Sequence, residues 1–226
     1  HRVRKRTGLQ VCPVCLSSDE VPYFRLTWRL SLFAACSQHR VLLLDRCPTC
    51  SSPIHLHRSE MGRRKEYQFD NTICCRCACP LRQAPTVPAD VRLVALHMQH
   101  EGLLSGRLLF HERTITYFDV LGHLLRLLTS TRLRMRGFQE LVSTLTDTKQ
   151  APITTLSKQR FSLHFDSLPV EVRADLLAAG FELLHQWPVL MAQAYGRGGL
   201  RVSDVFRDFQ GPPPWYSEFL VKRQSA

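Results

Sequence analysis

The sequence predicts a mainly α-helical protein whose front third is a small, turn-rich module with short β elements. Three observations carry this expectation. All nine cysteines fall within the first 82 residues, and they come in close pairs. Pro85 and Pro88 then interrupt any helix over 83–90. Beyond residue 90 there is no cysteine, and apolar residues recur at helical spacing. The 226-residue chain therefore divides into a cysteine-rich module at 1–82, a linker at 83–90 and a helical domain at 91–226. That length is ample for a buried core.

The module is basic, with 14 Lys or Arg against 7 Asp or Glu in residues 1–90 and 16 against 12 in the remainder. A formal net charge of +11 points to nucleic acid or acidic partners. No secretory apolar run follows the opening His-Arg-Val-Arg-Lys-Arg, and the start without Met predicts an earlier segment. The run Val41-Leu-Leu-Leu44 is far too short to span a bilayer, so no membrane association is expected. Nine cysteines is an odd number, and close pairing in the absence of a signal favours metal in a reducing compartment over disulfides.

Among the helices, one is expected from Asp90, a good N-cap, to Gly102, with Val91, Val94, Ala95 and Met98 on one face. Phe118, Leu121, Leu124, Leu125 and Leu128 line a second from Tyr117 to Leu128. A third is expected over Arg136 to Leu145, before a loop near Pro152. The strongest follows Pro169, carries Val172, Leu176, Ala179, Leu183 and Trp187, and ends at Pro188. A short one starts at Ser203, bears Val205, Phe206 and Phe209, and stops at Gly211-Pro-Pro-Pro214. The link between the last two is too long for the three- to four-residue turn of a helix-turn-helix, so ordinary helical packing is expected.

The cysteine spacings carry chemistry. Cys12-Pro-Val-Cys15 and Cys36-Ser-Gln-His39 each place two ligands three positions apart, where a tight turn aims both at one ion. Together they form a Cys₃His set, typical of a closed structural zinc site. Cys47-Pro-Thr-Cys50 repeats the knuckle, and its partners come from Cys74, Cys75, Cys77 and Cys79. Cys74 with Cys77 restores the spacing and completes a Cys₄ set; the other pairings stay open. Two structural zinc ions are thus expected, in zinc-knuckle or zinc-ribbon elements. Seven thiolates and two Zn²⁺ lower the front half from +7 to +4, which tempers the charge argument.

Both sets look full, whereas a catalytic zinc keeps an open position. His55 and His57 read as surface or half-buried histidines rather than ligands. Phe24, Trp28 and Leu32 are expected on one face of a helix covering the first site, with a base-stacking platform as the alternative. Arg63-Arg64-Lys65 is a candidate phosphate contact, or a solvated surface run. Trp215 and Tyr216, after three prolines, either cap the chain's own core or anchor a partner. No Ser-His-Asp set, metal-nuclease pattern or Gly-rich phosphate loop is present, so no enzyme is expected.

Cys12-Pro-Val-Cys15-Leu, Pro22-Tyr-Phe-Arg25, Trp28-Arg-Leu30, Cys36-Ser-Gln-His39 and Leu44-Asp-Arg-Cys47-Pro-Thr-Cys50 resemble the core signature of the TniQ family, of which TnsD is a relative. Cys74-Cys-Arg-Cys77 with Leu81-Arg82 resembles that family's closing knuckle, with Ala78 where Gly is more usual. Gln186-Trp-Pro188, Ser203-Asp204, Arg207-Asp-Phe209 and Pro214-Trp-Tyr216 resemble the helical tail of longer members, while the usual N-terminal segment is not seen. The resemblance implies a zinc-finger adaptor for target selection in transposition, a form of DNA recombination. Such an adaptor links a target-recognising element to a TnsC-like AAA+ ATPase. The recogniser would be the protein's own DNA-binding surface or a guide-RNA CRISPR effector such as Cascade, as in CRISPR-associated transposons. A homodimer and a bacterial, nucleoid-associated cytoplasmic location follow from the same resemblance. Another reading of a basic zinc protein is a stand-alone, sequence-specific DNA-binding regulator.

Overall fold

The computed structural model describes residues 9–55, 72–105, 112–129, 165–196, 202–206 and 209–222. The expected helix at 136–145, the basic run Arg63-Arg64-Lys65 and His57 lie outside the described residues. Among the described residues the chain is mainly helical, with one small two-stranded sheet. Its contacts divide it into two compact units, 1–101 with 165–174, and 102–164 with 175–226.

The first unit is built from short antiparallel pairings. Strands β1 (Ala35–Cys36) and β2 (Val41–Leu42) pair with Ala35 opposite Leu42 and Cys36 opposite Val41. Val11 and Leu44 exchange both backbone hydrogen bonds, at 2.9 and 2.7 Å, and Leu9 pairs with Ile54. Residues 83–90, read from the sequence as a linker, are partly bound into this unit. Leu42 N–H donates to the Val87 carbonyl, and Ala89 N–H to the Arg40 carbonyl. Helix α1 (Pro13–Ser18) starts with Pro at its first position and packs against a 3₁₀ turn at Leu81–Gln83, burying Leu16 and Leu81.

Helix α2 (Val91–Leu104) forms where expected but turns a different face inward. Val91 and Met98 are exposed, while Leu93, Val94, Leu96, His97, His100 and Leu103 are buried. The stripe through Leu93, Leu96, His97, His100 and Leu103 has equally good helical spacing. His97 qualifies for the core because its Nε2 accepts the Ala34 N–H at 2.9 Å. Phe33 packs against both imidazoles, 5.1 Å from His97 and 5.8 Å from His100.

The expected helix across Phe24, Trp28 and Leu32 is replaced by a single 3₁₀ turn at Leu26–Arg29. Trp28 is buried beneath it, with Phe24 edge-on at 5.9 Å, so Trp28 is a core residue and not a stacking platform. The Arg25 guanidinium grips both carboxylate oxygens of Asp19 at 2.9 and 3.0 Å and lies over the Tyr23 and Trp28 rings.

Helix α3 (Glu112–Thr129) buries Val120, Leu121, Leu124, Leu125, Leu127 and Leu128 in the second unit. Helix α4 (Val170–His185) follows Pro169 as expected, and its end at His185 fits the Pro188 signal. Gly180 lets α3 approach closely, since a Cβ there would stand 3.2 Å from Leu121 Cδ1. Helix α5 (Val189–Gly196) resumes directly after Pro188, and α6 (Val202–Phe206) follows. Helix α7 (Pro214–Lys222) begins on the third proline of the run read as a stop. Proline in a first turn loses no helical hydrogen bond, so Pro214 starts a helix as readily as it ends one. Tyr216 is fully buried, with Trp187 stacked at 4.5 Å and Phe206, Phe209 and His123 around it.

The first part of α4 belongs to the first unit and carries its central polar network. Arg173 is fully buried. It donates to the Leu168 carbonyl at 3.1 Å, the Ser31 carbonyl at 2.7 Å and Gln10 Oε1 at 2.8 Å, and lies 3.8 Å from Asp45. Gln10 in turn donates to the Trp28 and Leu30 carbonyls. Breaking such a buried charge network by removing one partner costs about 3–5 kcal/mol.

Candidate metal centres

Each of the four knuckles closes the same way. The residue after the second ligand donates its N–H to the carbonyl of the first ligand: Leu16 to Cys12 at 3.1 Å, Arg40 to Cys36 at 2.8 Å, Ser51 to Cys47 at 2.9 Å and Ala78 to Cys74 at 3.0 Å. In the first knuckle this turn continues as α1, whose N-cap is Cys12 itself, its sulfur accepting Cys15 N–H at 3.4 Å. In the other three, the closing residue turns left-handed, with φ of 55° at Arg40, 54° at Ser51 and 60° at Ala78. None of the three is glycine, so each carries the steric strain of that conformation.

These turns bring the expected ligands into two groups, Cys12, Cys15, Cys36 and His39, and Cys47, Cys50, Cys74 and Cys77; within each group the ligand atoms lie within 4.8 Å of one another. In the first group His39 Nδ1 faces all three sulfurs, 3.6 Å from Cys12, 3.2 Å from Cys15 and 3.6 Å from Cys36. The Cys15 and Cys36 sulfurs are 3.6 Å apart. In the second, Cys47 and Cys77 are 3.5 Å apart, and Cys50 and Cys74 3.7 Å. A tetrahedral ion with Zn–S bonds of about 2.3 Å needs sulfur–sulfur edges of about 3.8 Å, and sulfur–nitrogen edges of about 3.6 Å. Both groups fit such an ion and are far too open for disulfides, whose S–S bond is about 2.05 Å. None of the nine cysteines is in a disulfide. Both groups can hold a metal ion. Cys75 and Cys79 stand outside them; the Cys79 sulfur accepts from Thr49 Oγ1 at 3.0 Å.

The electrostatics fit the same use. Hydrogen bonds from the Cys12 and Cys15 thiols hold Cys36 far below the ordinary thiol range, while hydrogen bonding with Cys12, and then with Cys36, pushes Cys15 far up. At Cys50 the hydrogen bond with the Ser52 hydroxyl brings the thiol down to about 6, and at Cys47 burial pushes it up to about 12. Thiols that keep protons must release them to a metal, so binding weakens as pH falls.

The surroundings of the first group are also built. Ser37, inside the Cys36-Ser-Gln-His39 turn, donates to Glu101 of α2 at 2.8 Å. His97 of the same helix accepts from Ala34, next to β1. Around the second group Ser52 Oγ lies 3.0 Å from the Cys50 sulfur and 3.4 Å from that of Cys74. The sequence reading missed Ser52. Its only signal was a hydroxyl two positions after a ligand, where a turn folds side chains back toward sulfur.

Of the other candidates, His55 is half-buried, as expected. Tyr216 is buried, and half-buried Trp215 donates its indole N–H to Thr116 Oγ1 at 3.1 Å, so both rings pack on their own unit. Among the described residues no helix is long and apolar enough to cross a membrane.

The first ligand group lies wholly within a stretch with a recognised family pattern. Residues 1–43 match the TniQ family model. That match supports membership of the TniQ family, and it contains Cys12, Cys15, Cys36 and His39 but not the second group. Comparison with curated proteins and with solved structures returns no match. The TniQ match suggests a transposition-associated role in target selection.

Proposed function

We propose that this chain is a non-catalytic, two-zinc adaptor that couples target recognition to the transposition machinery. The observation that carries the reading is the TniQ match over a stretch holding a complete four-ligand group. Zinc is the ion that suits Cys₃His and Cys₄ sets with tetrahedral edges and no vacant position. In each site it would supply cross-linking of two distant turns, with Cys12, Cys15, Cys36 and His39 as one ligand set and Cys47, Cys50, Cys74 and Cys77 as the other. Saturated sites leave no position for a reacting water, which supports contact rather than catalysis.

The partners we propose are a TnsC-like AAA+ ATPase and a target-bound element, either DNA held by this chain or a guide-RNA CRISPR effector. The net charge of +11 suits a nucleic-acid environment in the bacterial cytoplasm. The test is reconstitution with the ATPase and target DNA. Co-migration with the ATPase or the target-bound element, without turnover by the chain alone, is the expected result. Unaided cleavage or hydrolysis, lost in a folded Cys36→Ala variant, would overturn it. Tight sequence-specific DNA binding with no affinity for the ATPase would instead make this a stand-alone regulator.

A further inference from the structure

The two ligand groups carry different charge. With zinc bound, three thiolates and a neutral histidine leave the first site at −1, while four thiolates leave the second at −2. Excess negative charge on metal-bound thiolates is offset by hydrogen bonds from their surroundings. At the first site the donors to sulfur from outside the ligand side chains are backbone amides, Cys15 N–H to Cys12 and His39 N–H to Cys36. The second site has such amides too, among them Arg76 N–H to Cys74 at 3.4 Å and further backbone donors to Cys47 and Cys77. It also has a buried hydroxyl, that of Ser52.

The position of that hydroxyl is specific. Its oxygen stands 3.0 Å from the Cys50 sulfur, in the knuckle that precedes it, and 3.4 Å from the Cys74 sulfur, in the knuckle more than twenty residues later. The backbone of Ser52 is fixed as well, its carbonyl accepting Cys47 N–H at 2.9 Å. Ser52 thus touches three of the four ligand residues and bridges both halves of the site. A thiolate bound to metal has no proton to give, so the Ser52 O–H must be the donor. Its one hydrogen points to the nearer sulfur, Cys50, with Cys74 on its flank.

We propose that Ser52 is a positioning residue of the second metal centre, whose hydroxyl donates to the Cys50 thiolate beside that of Cys74 and holds the Cys₄ set closed around its ion. The inference rests on the reading of that group as a zinc site. Without the hydroxyl, the thiolates carry more charge, attract protons more strongly and release the metal faster.

Full-length protein substituted with ¹¹³Cd tests the inference separately from the reading beneath it. Cadmium reports thiolate number and thiolate hydrogen bonding through its chemical shift. Two resonances are expected, one for Cys₃His and a more deshielded one for Cys₄. Ser52→Ala should move only the Cys₄ resonance, and Ser52→Thr, which keeps a hydroxyl, should return it toward its original position. The second site of Ser52→Ala should hold zinc roughly 10- to 100-fold less tightly, as for other outer-shell losses, and release it faster. A single resonance in the unmodified protein would overturn the two-site reading itself. Two resonances that stay in place in Ser52→Ala would overturn the role of Ser52 and leave the two-site reading standing. Faster release with no shift, or a Ser52→Thr variant that fails to restore the shift, would reduce Ser52 to packing.

Discussion

At the first ligand group Cys12, Cys15 and Cys36 are all buried, whereas at the second Cys77 is exposed and Cys50 half-buried. The first is backed by α2, through Ala34 on His97 and Ser37 on Glu101. Its neighbours Leu16, Trp28, Phe33 and Leu43 form the core of the unit. The second is framed by the turns at 47–50 and 74–77. The same ligand chemistry therefore does two jobs. The first ion would sit inside a hydrophobic core and share its fate. The second would fasten turns near the surface and depend on local donors such as Ser52.

The largest expected effect separates these two jobs. Cys36→Ser should unfold the first unit, because the metal and the core around β1 are lost together. Cys77→Ser should leave that core folded and release only the surface turns. Far-ultraviolet circular dichroism and proteolysis of both variants check this. Equal damage from the two changes would mean that the sites are equivalent.

An effect of intermediate size comes from the histidines behind the first site. Burial pulls His97 down to about 3, helped by His100 and Arg173, and burial pulls His100 down to about 4. Both are neutral in the folded protein and titrate near 6.5 when unfolded. Their folded values are depressed, so their contribution is complete above about pH 6.5 and is lost as the pH falls toward 4 and then 3. Between pH 6.5 and 5 the loss is about 1.6 kcal/mol per histidine. Protonation would also place a hydrogen on Nε2 of His97, where Ala34 N–H now donates. A His97→Gln/His100→Gln double variant should flatten the pH dependence of urea unfolding relative to the parent. Because acid release of metal affects both proteins, it cancels in the difference. An unchanged slope would place the acid sensitivity at the ligands alone.

The smallest effect concerns the second site. Ala78 occupies a left-handed turn with φ 60°. Ala78→Gly should stabilise the closing knuckle by about 1 kcal/mol, the steric penalty relieved less the extra chain entropy of glycine. Retention of metal against a chelator, compared at fixed pH, reads this directly. A weaker grip in the glycine variant would show that the turn is not strained.

The ligand groups were legible in the sequence because their information is local: a tight turn needs two ligands at a fixed spacing and little else. The helices at 91, 170 and 202 were legible from their period and their start signals. What was hidden depends on distant partners. Arg173 is buried because it meets Ser31, 142 positions away, and Gln10, 163 positions away, and no local pattern marks it. The face through Val91, Val94, Ala95 and Met98 was expected inward because a histidine carries no apolar signal in sequence, although a backbone N–H satisfies His97 and Phe33 packs on both rings. Helices α5 and α7 were missed because Pro188 and Pro214 were read as stops, whereas a proline also suits a helix start. Ser52 gave no signal beyond its place beside a ligand.

The central claim is that two closed metal sites of unequal protection hold the front of this chain. Zinc content combined with the time course of release to a chromophoric chelator tests it most directly. The account predicts two zinc ions per chain, released in two phases of equal amplitude, with the faster phase absent in Cys77→Ser. One ion or none in a protein with native circular dichroism would contradict it, as would a single phase carrying both ions.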